Sequence, residues 1–256
     1  MNTRRTVLAA LATFAITADA APAAQTATIV LVHGALIDGS SWRGVYDLLT
    51  RHGYPVRIVQ QPLTGLDDDV KATQRVLDQI EGPVVLVGHS YGGAVITVAG
   101  QDPKVKALVY VAALQPDAGE TGAEAAPPRP ESGAHLRATP DGFVTLAPEH
   151  FAADFGADLP KGLADFMAHS QMPIAASSFS TKLTVAAWRS KPSYAVIATQ
   201  DRALAVDTAQ RMAARAGSKI TRVKASHAVH ISQPLAVARV IDAAARSLRN
   251  DVSATP

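Results

Sequence analysis

Three side chains far apart in the chain have the types and placement needed to turn an alcohol into a nucleophile. The first is Ser90, in Gly88-His89-Ser90-Tyr91-Gly92-Gly93. This stretch follows the apolar run Pro83-Val84-Val85-Leu86-Val87 and precedes Ala94-Val95-Ile96, where a helix can begin. Gly-x-Ser-x-Gly between a strand and a helix is a nucleophile elbow, a sharp turn that lifts the hydroxyl off the sheet edge. The flanking glycines are expected because a side chain at either would strike the neighbouring strand or helix.

A serine hydroxyl reacts poorly at neutral pH without an adjacent base, and the base needs a carboxylate to set its tautomer. At such an elbow the acid and then the histidine follow in chain order, each on a loop after a strand. Asp201 lies just past the strand-like Tyr194-Ala198, and His227 lies just past a strand ending at Val223. Competing acids are Asp207, expected to open a helix, and Asp117, after the preceding strand. His230 competes with His227, but in Val229-His230-Ile231 it reads as packed. His52, His135, His150 and His169 read as solvated or structural. A developing oxyanion needs two aimed N–H groups. Those of Tyr91 and of Ala35, in His33-Gly34-Ala35 after the first strand, are the expected pair. His33, Gly34, His89 and Trp188 are the candidate substrate contacts. No cofactor is required, and no paired carboxylates or His-x-x-x-His spacing near the elbow suggest a metal.

The elements that must position these groups alternate in type. Strands are expected at Thr28-Val32, Val56-Val59, Ala107-Ala112, Tyr194-Ala198 and Lys219-Val223, besides the one before the elbow. Helices are expected at Trp42-Arg51, Leu66-Ile80, from the elbow to about Gly100, at Val206-Ala214 and at Leu235-Leu248. Asp67, Asp68 and Asp69 suit the first turn of their helix. Alternation implies an α/β fold, a mostly parallel sheet of about six strands with helices on both faces. The core spans 26–113 and 192–250. Between them, 114–191 reads as a lid, with a mobile loop over Pro116-Pro130 and short helices at Pro148-Phe155, Leu163-Ser170 and Pro173-Ser177. Its Phe143, Phe151, Phe155, Phe166, Met167, Met172 and Phe179, with Trp188, line a pocket or form the lid's own core.

The net charge of +2 and the absence of basic runs argue against nucleic acid, and the absence of cysteine excludes disulfides and thiolate chemistry. Met1-Asn2-Thr3-Arg4-Arg5, the apolar Val7-Ala18 and the small-x-small Ala18-Asp19-Ala20 read as a cleavable leader over 1–20, with a loose twin-arginine match. Export to the periplasm or medium is therefore expected, the alternative being a cytoplasmic tail. The apolar run is too short for a stable membrane anchor. Nothing in the sequence bears on oligomeric state.

Leu31-Val32-His33-Gly34-Ala35, Ser40-x-Trp42, Val87 to Gly93, Gln200-Asp201 and Ser226-His227 together resemble the α/β-hydrolase superfamily. The likeness is greatest to its branch of small plant methyl esterases and hydroxynitrile lyases, over Thr28-Leu114 and Ser193-Arg246. It implies a Ser90-Asp201-His227 triad, an oxyanion hole at Ala35 and Tyr91, a sheet without the first two strands of larger members, and small esters as substrates. The lyases carry threonine where this chain has Gly34 and lysine where it has Ala228, so the resemblance favours hydrolysis. Lactonase, amidase and cofactor-free haloperoxidase-type activities share the triad. A non-catalytic small-molecule receptor and a degenerate interaction protein are the rivals outside enzymology.

Overall fold

The computed structural model describes residues 26–252, with side chains as far as Leu248. The expected leader at 1–20 lies outside the described residues. The chain runs β1 Thr28–Val32, α1 Arg43–Arg51, β2 Val56–Val59, α2 Leu66–Leu77, β3 Val84–His89, α3 Gly92–Ala99 and β4 Val105–Val111. An insertion follows, with α4 Gly122–Ala125, α5 Pro130–Gly133, β5 Leu136–Ala138, β6 Phe143–Leu146, α6 Pro148–Asp154, α7 Lys161–His169, β7 Ile174–Ala175 and α8 Ser177–Ser180. The chain then completes β8 Ser193–Ala198, α9 Val206–Arg215, β9 Lys219–Val223, α10 Val229–Ser232 and α11 Pro234–Val252.

The six long strands form one parallel sheet in the order β2-β1-β3-β4-β8-β9. Strands β1, β3 and β8 are buried at every position, whereas the edge strand β9 is exposed or half-buried throughout. Continuous apolar runs therefore mark strands covered on both faces. Alternation sorts their side chains between two layers. Ile29, Leu31, Val85 and Val87 pack with Trp42, Val45 and Leu49 of the α1 region and with Val237, Ile241 and Ala244 of α11. Val30, Val32, Leu86 and Leu108 pack with α2, α3, α9 and the insertion on the other side. Among the described residues no helix is long and apolar enough to cross a membrane.

The insertion is more ordered than its composition suggests. Thr121 and Glu124 form a reciprocal capping box on α4, inside the stretch expected to be a mobile loop. Strands β5, β6 and β7 make a small antiparallel sheet. Pro173-Ser177, expected as a helix, is instead the strand β7 leading into α8. Pairing with β6 and a hydrogen bond from Ala175 N–H to the Leu63 carbonyl (2.8 Å) hold it extended. The Pro140-Asp141-Gly142 turn, with Gly142 at φ 85°, was the local signal for the β5–β6 hairpin.

Candidate active site

The elbow closes as its residue types require. Ser90 has φ 51°, a left-handed conformation that is costly for a side chain and is held in place by its surroundings. Its N–H donates to the Val111 carbonyl (3.2 Å), and its own carbonyl accepts from Gly93 (2.9 Å) and Leu114 (3.0 Å). A Cβ on Gly88 would stand 2.5 Å from the Gly92 carbonyl oxygen, and one on Gly92 would stand 2.6 Å from that of His33. Both clashes are with backbone, so neither position has room for a side chain.

The loops after β8 and β9 bring their residues to the serine. The Ser90 hydroxyl lies 2.8 Å from His227 Nε2, and His227 Nδ1 lies 2.7 Å from Asp201 Oδ2. The other Asp201 oxygen accepts from the N–H groups of Ala203 (2.9 Å) and Leu204 (2.8 Å), which aims the carboxylate at the ring. Asp201 and His227 are buried, while Ser90 is half-buried. The competing residues lie elsewhere. Asp117 is gripped by the Arg189 guanidinium at 2.6 and 2.7 Å, and Asp207 sits in the first turn of α9.

Behind His227 the imidazoles of His89 and His230 lie against one another with centroids 4.0 Å apart and planes tilted by 37°, beside the Trp42 ring. His89 Nε2 donates to the His227 carbonyl at 3.0 Å. Burial is the largest influence on both rings. It holds His89 well below the usual histidine range and His230 down to about 3. These two stay neutral near pH 7 and place no positive charge against His227.

A cavity of about 320 Å³ opens over Ser90. Ala35, Tyr91 and His227 line its end at Ser90, and Leu36, Leu146, Phe155, Ile174 and Phe179 are among its apolar walls. Of the lid aromatics, Phe155 and Phe179 reach the cavity, Phe151 is buried in the core and Phe166 is 68% exposed. None of the four expected substrate contacts lines it. His33 is buried, donating from Nδ1 to the Gly34 carbonyl (2.9 Å) and accepting from Gln61 N–H (3.0 Å). Gly34 packs on His89 and Ser90, with no space for a Cβ. His89 belongs to the histidine pair just described. Trp188 is buried, its indole N–H given to the Pro116 carbonyl (2.8 Å). Each of these four residues is tied up in packing or hydrogen bonding outside the cavity.

A residue that composition alone did not mark is Asp69. It lies on the buried stripe of α2 with Leu66, Ala72, Thr73 and Leu77, a spacing visible in the sequence. Its carboxylate accepts from the Tyr91 hydroxyl (2.7 Å) and from Leu63 N–H (2.8 Å). Burial, the largest influence, raises it above the ordinary aspartate value, against the lowering effect of those two bonds. An acid raised in the folded state contributes stability that is full below its unfolded value and is lost as pH rises through the folded one. The wild-type protein should therefore lose stability relative to Asp69→Asn as pH climbs out of the ordinary carboxylate range. Urea unfolding at a series of pH values measures this, and parallel curves for the two proteins would contradict it.

His135, His150 and Asp154 of the lid could each offer a ligand atom within 4.8 Å of the others. The two rings lie face to face at 3.5 Å and 2° from parallel, so their in-plane lone pairs do not converge. His135 Nδ1 is hydrogen-bonded to Asp154 Oδ2 (2.6 Å), and Arg202 Nε stands 3.4 Å from the other oxygen. The group is arranged as an ion-paired lid contact.

A sequence profile of the alpha/beta hydrolase family matches residues 29–240. A carbendazim hydrolyzing esterase of Nocardioides sp. (strain SG-4G) is 34% identical over 111 residues, covering 37% of this chain and 45% of that protein. A pyrethroid hydrolase of Sphingobium wenxiniae (strain DSM 21828 / CGMCC 1.7748 / JZ-1) is 33% identical over 101 residues, covering 34% of this chain and 35% of that one. Each match thus spans less than half of the relative's length. A solved structure of the pyrethroid hydrolase PytH superposes with a TM-score of 0.77 at 20% identity, over 88% of this chain and 100% of the other, a likeness of fold. With the profile running from β1 into α11, the chain belongs to the alpha/beta hydrolase family.

Proposed function

We propose that this protein hydrolyses small, largely apolar carboxylic esters through an acyl-enzyme on Ser90. The observation that carries the reading is the unbroken chain Ser90–His227–Asp201, with links of 2.8 and 2.7 Å, at the end of an apolar cavity. His227 Nε2 takes the Ser90 proton as Oγ attacks the ester carbonyl, and Asp201 stabilises the imidazolium. The oxyanion falls to the N–H groups of Ala35 and Tyr91. Tyr91 is the N-cap of α3, so its N–H has no carbonyl within that helix to bond. His227 then protonates the leaving alcohol and activates the water that releases the acid.

Two positions favour hydrolysis over the lyase chemistry of the resembling branch. A Cβ on Gly34 would lie 2.8 Å from both His89 Nδ1 and Ser90 Cβ, so a threonine there would have to displace one of them. Ala228 is buried and offers no cation to a departing anion.

The test is activity-based labelling of the protein recovered from the periplasm or medium. The chain should turn over a short p-nitrophenyl ester, and a fluorophosphonate should modify Ser90 alone. The intact mass of the labelled species reports whether residues 1–20 were removed. An unlabelled Ser90 would defeat the hydrolase reading, and recovery from the cytoplasm alone with Met1 intact would defeat export.

A further inference from the structure

The loop that carries His227 is held by the lid at three points. The Asp158 carboxylate, between α6 and α7, accepts from both the N–H (3.2 Å) and the hydroxyl of Ser226, the residue before the histidine. The Phe155 carbonyl accepts from the N–H of Ala228, the residue after it, at 3.0 Å. The Phe155 ring then meets the His227 imidazole edge-on with centroids 5.0 Å apart. Four residues of lid therefore bracket the base on both sides along the chain. Ser226, His227 and Ala228 are all buried, but Asp158 is exposed.

We propose that Asp158 is a positioning residue for His227, so that the lid completes the catalytic constellation as well as covering it. This rests on the hydrolase reading above. Asp158 touches neither substrate nor reacting atoms in the geometry described, and it acts through Ser226. With its carboxylate removed, the Ser226 end of the loop keeps no lid partner, while the Ala228 end keeps its backbone bond. The imidazole then samples orientations displaced from Ser90, and displacement of a catalytic group by about 1 Å can cost on the order of 100-fold in rate. Because one anchor survives, the expected loss is partial.

The experiment compares Asp158→Ala and Asp158→Asn with the wild-type protein. Asp158→Ala should lower kcat on the order of 10- to 100-fold with KM nearly unchanged. Fluorophosphonate labelling of Ser90 should slow by the same factor. As an exposed substitution it should leave the thermal midpoint close to the wild-type value. Asparagine can still accept from Ser226 N–H and can donate to its hydroxyl oxygen, so Asp158→Asn should recover most of the loss. Wild-type kcat and labelling rate in Asp158→Ala would overturn the proposal, as would a loss that asparagine fails to restore. A wild-type Ser90 that resists labelling would instead overturn the hydrolase reading and this inference together.

Discussion

Ser90→Ala should reduce kcat for a p-nitrophenyl ester by on the order of 10⁵- to 10⁶-fold, leaving only what binding and the oxyanion donors supply. Of the other hydroxyls lining the cavity, that of Ser132 is given to the Arg202 carbonyl. The chain has no cysteine, and the adjacent Tyr91 hydroxyl is committed to Asp69, its ionisation held above the ordinary tyrosine value by burial first and by that carboxylate second. The fold should not suffer, because alanine meets the same left-handed strain at φ 51° that serine already bears. A steady-state assay beside a thermal melt separates these effects. A variant that melts normally but keeps more than about 1% of wild-type turnover would show that Ser90 is not the nucleophile.

Asp201→Asn should cost on the order of 10⁴-fold in kcat while preserving the geometry. The backbone N–H groups of Ala203 and Leu204 both donate to Asp201 Oδ1. In the variant they select the amide oxygen for that side, which turns the amide NH₂ toward His227 Nδ1. Two donors cannot face one another, so the ring must carry its proton on Nε2. That is the nitrogen that has to accept from Ser90. Asp117→Asn is the control. Asp117 is paired with Arg189 on the surface, so its replacement should leave kcat within about twofold of wild type. A large loss at 117 with none at 201 would assign the acid the other way.

Much of this arrangement was legible because parallel strands announce themselves. Val84-Val85-Leu86-Val87 and Thr28-Ile29-Val30-Leu31-Val32 are apolar at nearly every position, as a strand covered on both faces must be. Strand ends then locate the loops, which is why Ser90, Asp201 and His227 could be paired from position alone. The residues that line the cavity were not legible by the same means. His89 continues the alternation of Val85 and Val87, which delivers its ring to the layer of Trp42 and α11, away from the cavity. Nearness in sequence to Ser90 says nothing about which face a side chain takes. The lid strands are two to four residues long, and their pairing is set by tertiary partners that local patterns do not reveal.

The stitching of the insertion also divides it for anyone who would retailor the site. Met172 N–H reaches the Leu36 carbonyl and Ala175 N–H reaches that of Leu63, so this rim is sewn to the turns beside the elbow. The stretch from Ala123 to Gly133 faces the same hollow but is joined to the Asp201 loop chiefly through the Arg129 and Ser132 side chains. Grafted sequence there can reshape selectivity while the sewn rim keeps its register, which makes that stretch the natural place to begin a library.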